Sequence, residues 1–277
     1  MTATVEPVAD ESVEVLKPGE CLVPGYVVTE HLHRSRYLDV YDVWSDERAC
    51  SCVAKLARPD RVDDRESRVG LIREGRLLKR LAHPHIVRIF EQFERPHPVL
   101  ILETLTGTPL DYIIAEEGRL GTRDIGFMGT QLCSAMHYLH RHGFLHLDLK
   151  PANILSADRL VKVIDFSIAR RPGRPRKGMG TPAYMAPEQV LGKPLSEATD
   201  IWGIGAVLFH AATGQAPFDT GEDEPLRCLQ VAGRAPTVRS FRRLPAALVT
   251  VIDRCLEPEP VHRPTIDELF RTLKALT

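Results

Sequence analysis

The chain contains 277 residues with a mass of 31.0 kDa, enough for one large domain or two modest ones with a well-buried core. Apolar residues make up 43% and charged residues 26%, which excludes disordered, collagen-like and coiled-coil chains. The 36 basic and 37 acidic side chains leave a net charge of -1, so no global field would recruit nucleic acid or an anionic membrane.

Membrane insertion and secretion are not expected. The longest apolar run, residues 201–212, falls short of the roughly 18 residues that a membrane span needs and is interrupted by Gly203, Gly205 and His210. The first residues are acidic and lack a basic start followed by an apolar block, so no secretory signal is expected. Six cysteines are too few for a disulfide scaffold, which favours reduced thiols and a cytoplasmic location.

The first part of the chain predicts a tail followed by a sheet. Residues 1–22 are acidic and weakly patterned, as expected of a tail. Between 25 and 57, runs of Val, Tyr, Leu and Cys alternate with short polar breaks, which predicts an antiparallel meander.

A helix is predicted over residues 65–81, where Leu71, Leu78 and Leu81 fall on one face. Glu74 lies on that same face. A carboxylate in an apolar stripe needs a cation, because an uncompensated buried charge costs on the order of 3–5 kcal/mol.

Two more strands are predicted at 86–90 and 99–102, and a long helix at 122–143. The short apolar runs at 146–155 and 160–168 are too brief for helices and are typical of small hairpins that carry functional loops.

Helices return towards the end of the chain, where Ser196 is a predicted N-cap and Thr265 with Glu268 forms a predicted capping box. The resulting plan is an α+β protein, with a small β-rich part followed by a larger, mostly helical part.

Three polar motifs occur in a fixed order in the second half. Residues 146–155 read HLDLKPANIL, Asp165 follows after ten residues, and residues 180–188 read GTPAYMAPE. This set resembles the catalytic loop, the metal-binding motif and the end of the activation segment of protein kinases, and it is most similar to bacterial Ser/Thr kinases of the eukaryotic (Hanks) type. The resemblance covers residues 25–276 and implies the bilobal kinase fold. The boundaries that it implies are 1–22 for the tail, 23–103 for the N-lobe and 104–277 for the C-lobe.

The resemblance implies ATP and Mg²⁺ as cofactors and a protein as substrate. Asp148 is similar to the family's catalytic base, and Lys150 would face the transferring phosphate. Asn153 and Asp165 offer the hard oxygen donors that Mg²⁺ prefers and would be the metal ligands.

Nucleotide-binding residues follow from the same resemblance. Lys55 would hold the α and β phosphates with Glu74 as its helix partner, although Glu74 could instead pair with an arginine of its own helix. Leu102 would be the gatekeeper, and the backbone of Glu103 and Leu105 would face adenine. The apolar walls would be Leu32, Val40, Val53 and Leu155, which could equally be ordinary core residues.

Outside the nucleotide site, Glu188 and Arg263 match the family's structural ion pair, and Asp200 matches the aspartate that braces the catalytic loop.

The phosphate-binding loop departs from the family. His33, Ser35 and Leu38 occupy the three positions that are usually glycine, so backbone amides are expected to approach phosphates less closely. Arg34 and Arg36 would either grip phosphates by charge or remain solvated.

Two further departures concern the activation segment. Ser167 replaces the usual glycine after Phe166 and is expected to be strained by about 1–2 kcal/mol if its φ is positive. Leu147 replaces the arginine that pairs with a phosphorylated segment, and no hydroxyl lies between Ser167 and Thr181. We therefore expect no activation-loop phosphorylation switch.

Five basic residues within 170–177 would dock an acidic substrate or partner, or form a solvated loop. The leading interpretation is an active cytoplasmic Ser/Thr protein kinase. The alternatives are a pseudokinase that binds nucleotide or partners, and a small-molecule phosphotransferase. Regulation is expected to come from a partner protein, from dimerisation or from expression.

Overall fold

A computed structural model describes residues 13–174, 178–218 and 229–277. The chain forms two compact units. Of the described residues, one unit takes in 13–82 and 87–106, and the other takes in 83–86 and those from 107 to 277. The first is built mainly on a sheet and the second mainly on helices, which confirms the expected α+β class.

An antiparallel sheet with strand order β1-β2-β3-β4-β6-β5 forms the first unit. Its strands are β1 (Cys21–Val23), β2 (Tyr26–Arg34), β3 (Leu38–Ser45), β4 (Cys50–Ala57), β5 (Ile89–Phe93) and β6 (Val99–Glu103).

One face of this sheet carries the core of the first unit, because alternate residues of each strand point to the same side. The buried side chains of this face are Tyr26, Val28, Tyr41, Val43, Cys52, Ala54, Val99 and Ile101. Val15 and Leu16 pack against them. The expected tail therefore does not extend to residue 22: β1 begins at Cys21, and residues as early as Val15 contact the core.

Helix α1 comprises Arg65–Leu78. Asp64 is its N-cap, and the Asp64 carboxylate accepts a hydrogen bond from the Ser67 amide at 2.7 Å. The helix ends three residues earlier than the predicted range 65–81. Gly75 allows the helix to approach the sheet closely, because a Cβ at this position would lie 2.7 Å from Leu100 Cδ2.

The strand predicted at 86–90 is placed three residues too early. Residues 83–86 form a loop that bonds within the second unit, where the Val163 amide donates to the His85 carbonyl at 2.9 Å. Those bonds engage the backbone of His85 and Ile86 outside the larger sheet, and β5 begins only at Ile89.

The second unit contains a small sheet of order β7-β8-β9 and a set of helices around α5. The small sheet comprises β7 (Thr108–Pro109), β8 (Ile154–Ala157) and β9 (Leu160–Val163). The helices are α2 (Leu110–Glu117), α3 (Thr122–Arg141), α4 (Pro187–Leu191), α5 (Glu197–Thr213), α6 (Leu229–Ala232), α7 (Ala246–Cys255) and α8 (Ile266–Lys274).

Helix α5 is buried along nearly its whole length, so it is apolar on all sides rather than amphipathic. Ser196 and Thr265 precede α5 and α8 as predicted, and the Thr265 amide donates to Glu268 Oε2 at 2.8 Å. Within the described ranges, none of these helices pairs the length with the apolar character that crossing a bilayer requires.

Candidate active site

In the first unit, Lys55 of β4 and Glu74 of α1 form a buried ion pair. Lys55 Nζ lies 3.0 Å from Glu74 Oε1 and 2.9 Å from Oε2. Lys55 is 8% exposed and Glu74 only 1%. Lys55 is therefore the cation that the carboxylate on the apolar face of α1 requires, and the alternative of pairing only within that helix is wrong.

Three of the residues predicted to contact nucleotide share the sheet face that carries Lys55. Val40 is directly paired with Lys55, and Val53 with Leu102. Because directly paired residues point to the same side of a sheet, these side chains lie opposite the core face. Leu32 lies in β2 at an irregularity of the register and is 48% exposed.

The strand end after Leu102 is fixed by backbone and side-chain bonds. The Glu103 amide donates to the Arg88 carbonyl at 2.9 Å, and Glu103 Oε1 accepts from the Arg88 amide at 2.8 Å. Leu105 follows in an irregular, half-buried segment. Leu155 is half-buried in β8 of the second unit, where it pairs with Pro109.

Of the two arginines at the turn that lacks the family's glycines (residues 33–38), Arg34 meets neither expectation. Arg34 is neither solvated nor available for phosphates, since Nε and Nη2 contact the Asp39 carboxylate at 2.7 and 2.8 Å. Arg36 stacks over the Tyr37 ring with 5.1 Å from Cζ to the centroid.

In the second unit, the carboxylate of Asp148 is held from three sides. Oδ1 accepts from the Thr181 amide at 2.9 Å and from its hydroxyl at 2.8 Å. Oδ2 accepts from Asn153 Nδ2 at 3.2 Å and lies 3.5 Å from Lys150 Nζ. The four side chains form one polar cluster in which the carboxylate can take up a proton beside a cation.

Thr181 is a site residue that the sequence did not single out. Its hydroxyl accepts from Lys150 Nζ at 2.9 Å and so bridges the lysine and Asp148. Its place at the start of the 181–188 segment was the available signal, but sequence spacing alone gives no distance to residue 148.

A buried carboxylate supports the backbone of residues 146 and 147, directly before Asp148. Asp200 of α5 accepts from the amides of His146 and Leu147, both at 2.8 Å, and Oδ2 contacts His140 Nε2 at 2.8 Å. Burial alone would raise the pKa of Asp200, but these hydrogen bonds hold it below its ordinary value. They also hold Leu147 at a φ of 71°, an unusual conformation for a branched residue.

The predicted metal ligands have suitable chemistry. Asn153 Nδ2 donates to both the backbone and side chain of Asp148, which turns its Oδ1 oxygen away from that residue. Asp165 has a φ of 63°, and its Oδ1 accepts from the Ser167 amide at 3.2 Å. One carboxylate and one amide oxygen fit Mg²⁺, which takes its remaining ligands from phosphates and water.

The expected strain at Ser167 is wrong. The positive φ in this turn belongs to Asp165 rather than to Ser167. A serine is tolerated here because its backbone does not enter the left-handed region.

The activation segment is attached to the second unit at the start of its basic stretch, through Arg170 and Gly173. Leu145 and Arg170 exchange backbone bonds of 2.7 and 3.0 Å, and Gly173 and Leu195 exchange bonds of 3.2 and 2.8 Å. Next to them, an apolar cluster contains Leu145, Leu147, Leu195 and Ile168. Of the five basic residues, Arg176 and Lys177 lie outside the described residues.

The other predicted ion pair is present. Arg263 Nη1 and Nη2 contact the two carboxylate oxygens of Glu188 at 2.6 and 2.8 Å, and both residues are buried. This fork-to-fork pair fixes α4, which begins at Pro187 within the 181–188 segment.

Comparison with known proteins agrees with these motifs. The protein kinase domain family matches residues 26–273, and the chain belongs to this family. Its α+β architecture is that of the family's bilobal fold.

Among individual relatives, a serine/threonine-protein kinase, PkaA of Streptomyces coelicolor, is 32% identical over 234 residues, which is 80% of this chain and 42% of PkaA. A probable serine/threonine-protein kinase of Clostridium acetobutylicum is 31% identical over 220 residues, 76% of this chain and 33% of that protein. The serine/threonine-protein kinase ULK3 of Rattus norvegicus is 30% identical over 258 residues, 89% of this chain and 54% of ULK3. The chain thus spans about half or less of the length of these relatives.

Proposed function

We propose that this chain is an active protein kinase that transfers the γ-phosphate of ATP to serine and threonine hydroxyls of proteins. The observation that carries the proposal is the cluster in which Asp148, Lys150 and Thr181 contact one another. Asp148 would accept the proton of the substrate hydroxyl. The hydroxyl oxygen of the substrate would attack the γ-phosphorus, and ADP would leave. Lys150 would stabilise the charge that develops on the transferred group.

The remaining site residues have supporting roles in this proposal. Lys55 would neutralise the α and β phosphates, with its ammonium group positioned by Glu74. Asn153 and Asp165 would hold Mg²⁺, which neutralises phosphate charge when bound. Leu32, Val40, Val53 and Leu155 would provide the apolar walls for adenine, and the backbone of Glu103 and Leu105 would face it.

The proposal is tested by a transfer assay with labelled ATP, Mg²⁺ and casein. Replacing the proposed base, Asp148→Asn, should lower kcat at least about 100-fold, because a positioned base contributes 10²- to 10⁴-fold. Asp158→Asn is the matched control, since Asp158 is an exposed carboxylate in the turn between β8 and β9. Equal rates for both variants would contradict the assigned role of Asp148.

A second candidate function is a pseudokinase that binds nucleotide or a partner without turnover. The glycine-free turn favours it, because Ser35 and Leu38 close that turn through bonds of 2.8 and 3.0 Å. Nucleotide that raises the melting temperature without any phosphate transfer would favour this candidate.

We also propose that the site works without activation-loop phosphorylation. The apolar contacts of Ile168 with Leu147 and Leu195 support this, since they attach the segment without an anion. Leu195→Ala should raise amide exchange of residues 170–173 at least about tenfold, because it removes buried apolar contact. Leu191→Ala is the control, as Leu191 is 42% exposed. Loss of activity after phosphatase treatment would contradict the proposal.

We propose acidic proteins as the substrates. We further propose that a regulatory protein or a second copy of the chain controls the kinase activity. Arg171 and Arg174 are exposed in the basic stretch, and Arg171 lies over the Phe144 ring at 5.6 Å. Charge reversal at Arg171 and Arg174 should raise KM for an acidic peptide more than for a neutral one.

A further inference from the structure

Residues 13–17, which we call the strap, contact strands β2 and β3 of the first unit. The Val13 carbonyl accepts a hydrogen bond from Arg34 Nη1 at 2.7 Å, and the Leu16 amide donates to the Tyr41 hydroxyl at 3.2 Å. Val15 and Leu16 also pack against the core of the sheet. The strap is therefore bonded to both strands of the β2–β3 hairpin.

Arg34 links the strap to the hairpin. Two of its nitrogens bind the carboxylate of Asp39, the residue directly opposite on β3, while the third binds the strap. The Asp39 side chain is completely buried, and that of Arg34 is 13% exposed. A bidentate pair of this kind fixes both distance and orientation, which a lysine could not do.

Asp39 also contacts His31, whose Nε2 lies 3.2 Å from Asp39 Oδ1. Burial alone would raise the pKa of Asp39, but the hydrogen bonds from Arg34 and His31 hold it below its ordinary value. The Asp39 carboxylate is thus charged at neutral pH although it is buried. Loss of Arg34 would leave this buried charge uncompensated, which is strongly destabilising.

The turn at the tip of this hairpin is closed without glycine. The Ser35 hydroxyl accepts from the Leu38 amide at 3.0 Å, and the Tyr37 carbonyl accepts from the Arg58 amide at 3.0 Å. Side-chain and strand bonds thus fix a turn that glycine-rich sequences leave flexible.

We propose that the strap and the Arg34–Asp39 pair hold the glycine-free hairpin in a single conformation, and that this is how the chain retains affinity for nucleotide. The part concerning nucleotide rests on the proposed kinase function. A hairpin that is already ordered loses little conformational entropy on binding, so affinity is gained by preorganisation. Arg34 and Asp39 act as positioning residues, through the hairpin rather than by touching phosphate.

Two variants test the proposal by independent routes. A chain that begins at Lys17 lacks most of the strap, and Arg34→Lys keeps the charge while losing the bidentate geometry. Their controls are a chain that begins at Val13 and Glu14→Gln, whose side chain is exposed and pairs with Lys17 within the strap. Hydrogen exchange of residues 35–38, the dissociation constant for Mg·ATP, and the KM and kcat of transfer are measured in each.

We expect both test variants to speed exchange of residues 35–38 at least tenfold and to raise Kd and KM about tenfold, with kcat within twofold and α5 exchange unchanged. The controls should match the parent chain. Exchange at the parental rate in Arg34→Lys would overturn the proposal, as would faster exchange with an unchanged Kd. If the parent chain binds no nucleotide, the kinase proposal fails, while the exchange data still decide whether the strap orders the hairpin.

Discussion

The Lys55–Glu74 pair is a buried interaction whose value depends on both partners. Neither side chain can recover full hydration when the other is removed, because both are buried between α1 and the sheet. The cost of losing one partner is therefore the cost of an uncompensated charge rather than of one hydrogen bond.

We expect Glu74→Gln to lower the free energy of unfolding by about 3–5 kcal/mol, because it leaves the Lys55 ammonium buried without a counter-charge. The double variant Lys55→Met with Glu74→Leu should recover most of that loss, since it removes both charges. Urea denaturation of the parent, the single and the double variants measures this directly. A double variant no more stable than Glu74→Gln would show that the two residues do not act as a pair.

At the residue scale, sequence reasoning succeeded where spacing reports chemistry and failed where contact depends on the fold. Glu74 was expected to need a cation because its position on an apolar face follows from helical periodicity. The partner of Arg34 was not foreseen, since the cross-strand register that places Asp39 opposite it is set by a turn without a standard sequence signature. The role of Thr181 depends on a contact over 33 residues, which no local pattern encodes.

The 83–86 loop shows how one short element can make stability depend on pH. His83 Nε2 lies 3.2 Å from the Ser134 hydroxyl, and His85 Nδ1 lies 3.0 Å from the Val161 carbonyl, to which it must donate. Burial lowers the pKa of both imidazoles, and the Lys162 ammonium lowers each further.

Because the folded pKa values lie below the ordinary value of about 6.5, the unfolded chain binds more protons in this range and stability falls as the pH drops below 6.5. We expect the double variant His83→Gln with His85→Gln to show a smaller loss of stability between pH 7 and pH 5.5 than the parent. Urea unfolding across that range measures the slope, with exposed His137→Gln on α3 as control. Identical slopes in the parent and the double variant would exclude the loop as the source.

Secondary elements were predicted best where a cap and a periodic stripe agree, as at α8, whereas α1, predicted from its stripe alone, ends three residues earlier than expected. The helix predicted at 122–143 is α3, which begins at Thr122 as expected but ends at Arg141, two residues early. The strand near residue 86 was displaced because apolar runs do not distinguish a strand from a loop buried by tertiary contacts.

At the scale of the whole molecule, binding should appear as global stability, because a ligand that prefers the folded state shifts unfolding by mass action. Mg·ATP at 100 times its Kd should add about 2.7 kcal/mol to the free energy of unfolding. Asp165→Asn should reduce the part of this gain that depends on Mg²⁺, since it replaces the charged oxygen donor.

Melting curves with ATP plus Mg²⁺ and with ATP plus EDTA separate the two contributions. Ser167→Gly is the matched control, because Ser167 contributes only its amide to Asp165. No shift in the parent chain with either mixture would argue against nucleotide binding altogether.

The apolar contact between Leu147, Ile168 and Leu195 has a consequence for signalling. A phosphate can be added by one enzyme and removed by another, whereas a methyl group packed in a protein interior cannot. Under the proposal that this segment works without phosphorylation, the kinase would not activate neighbouring copies by phosphorylating them, so its activity would show no threshold concentration. Its output would rise in proportion to the number of molecules, as expected of a graded rather than a bistable circuit.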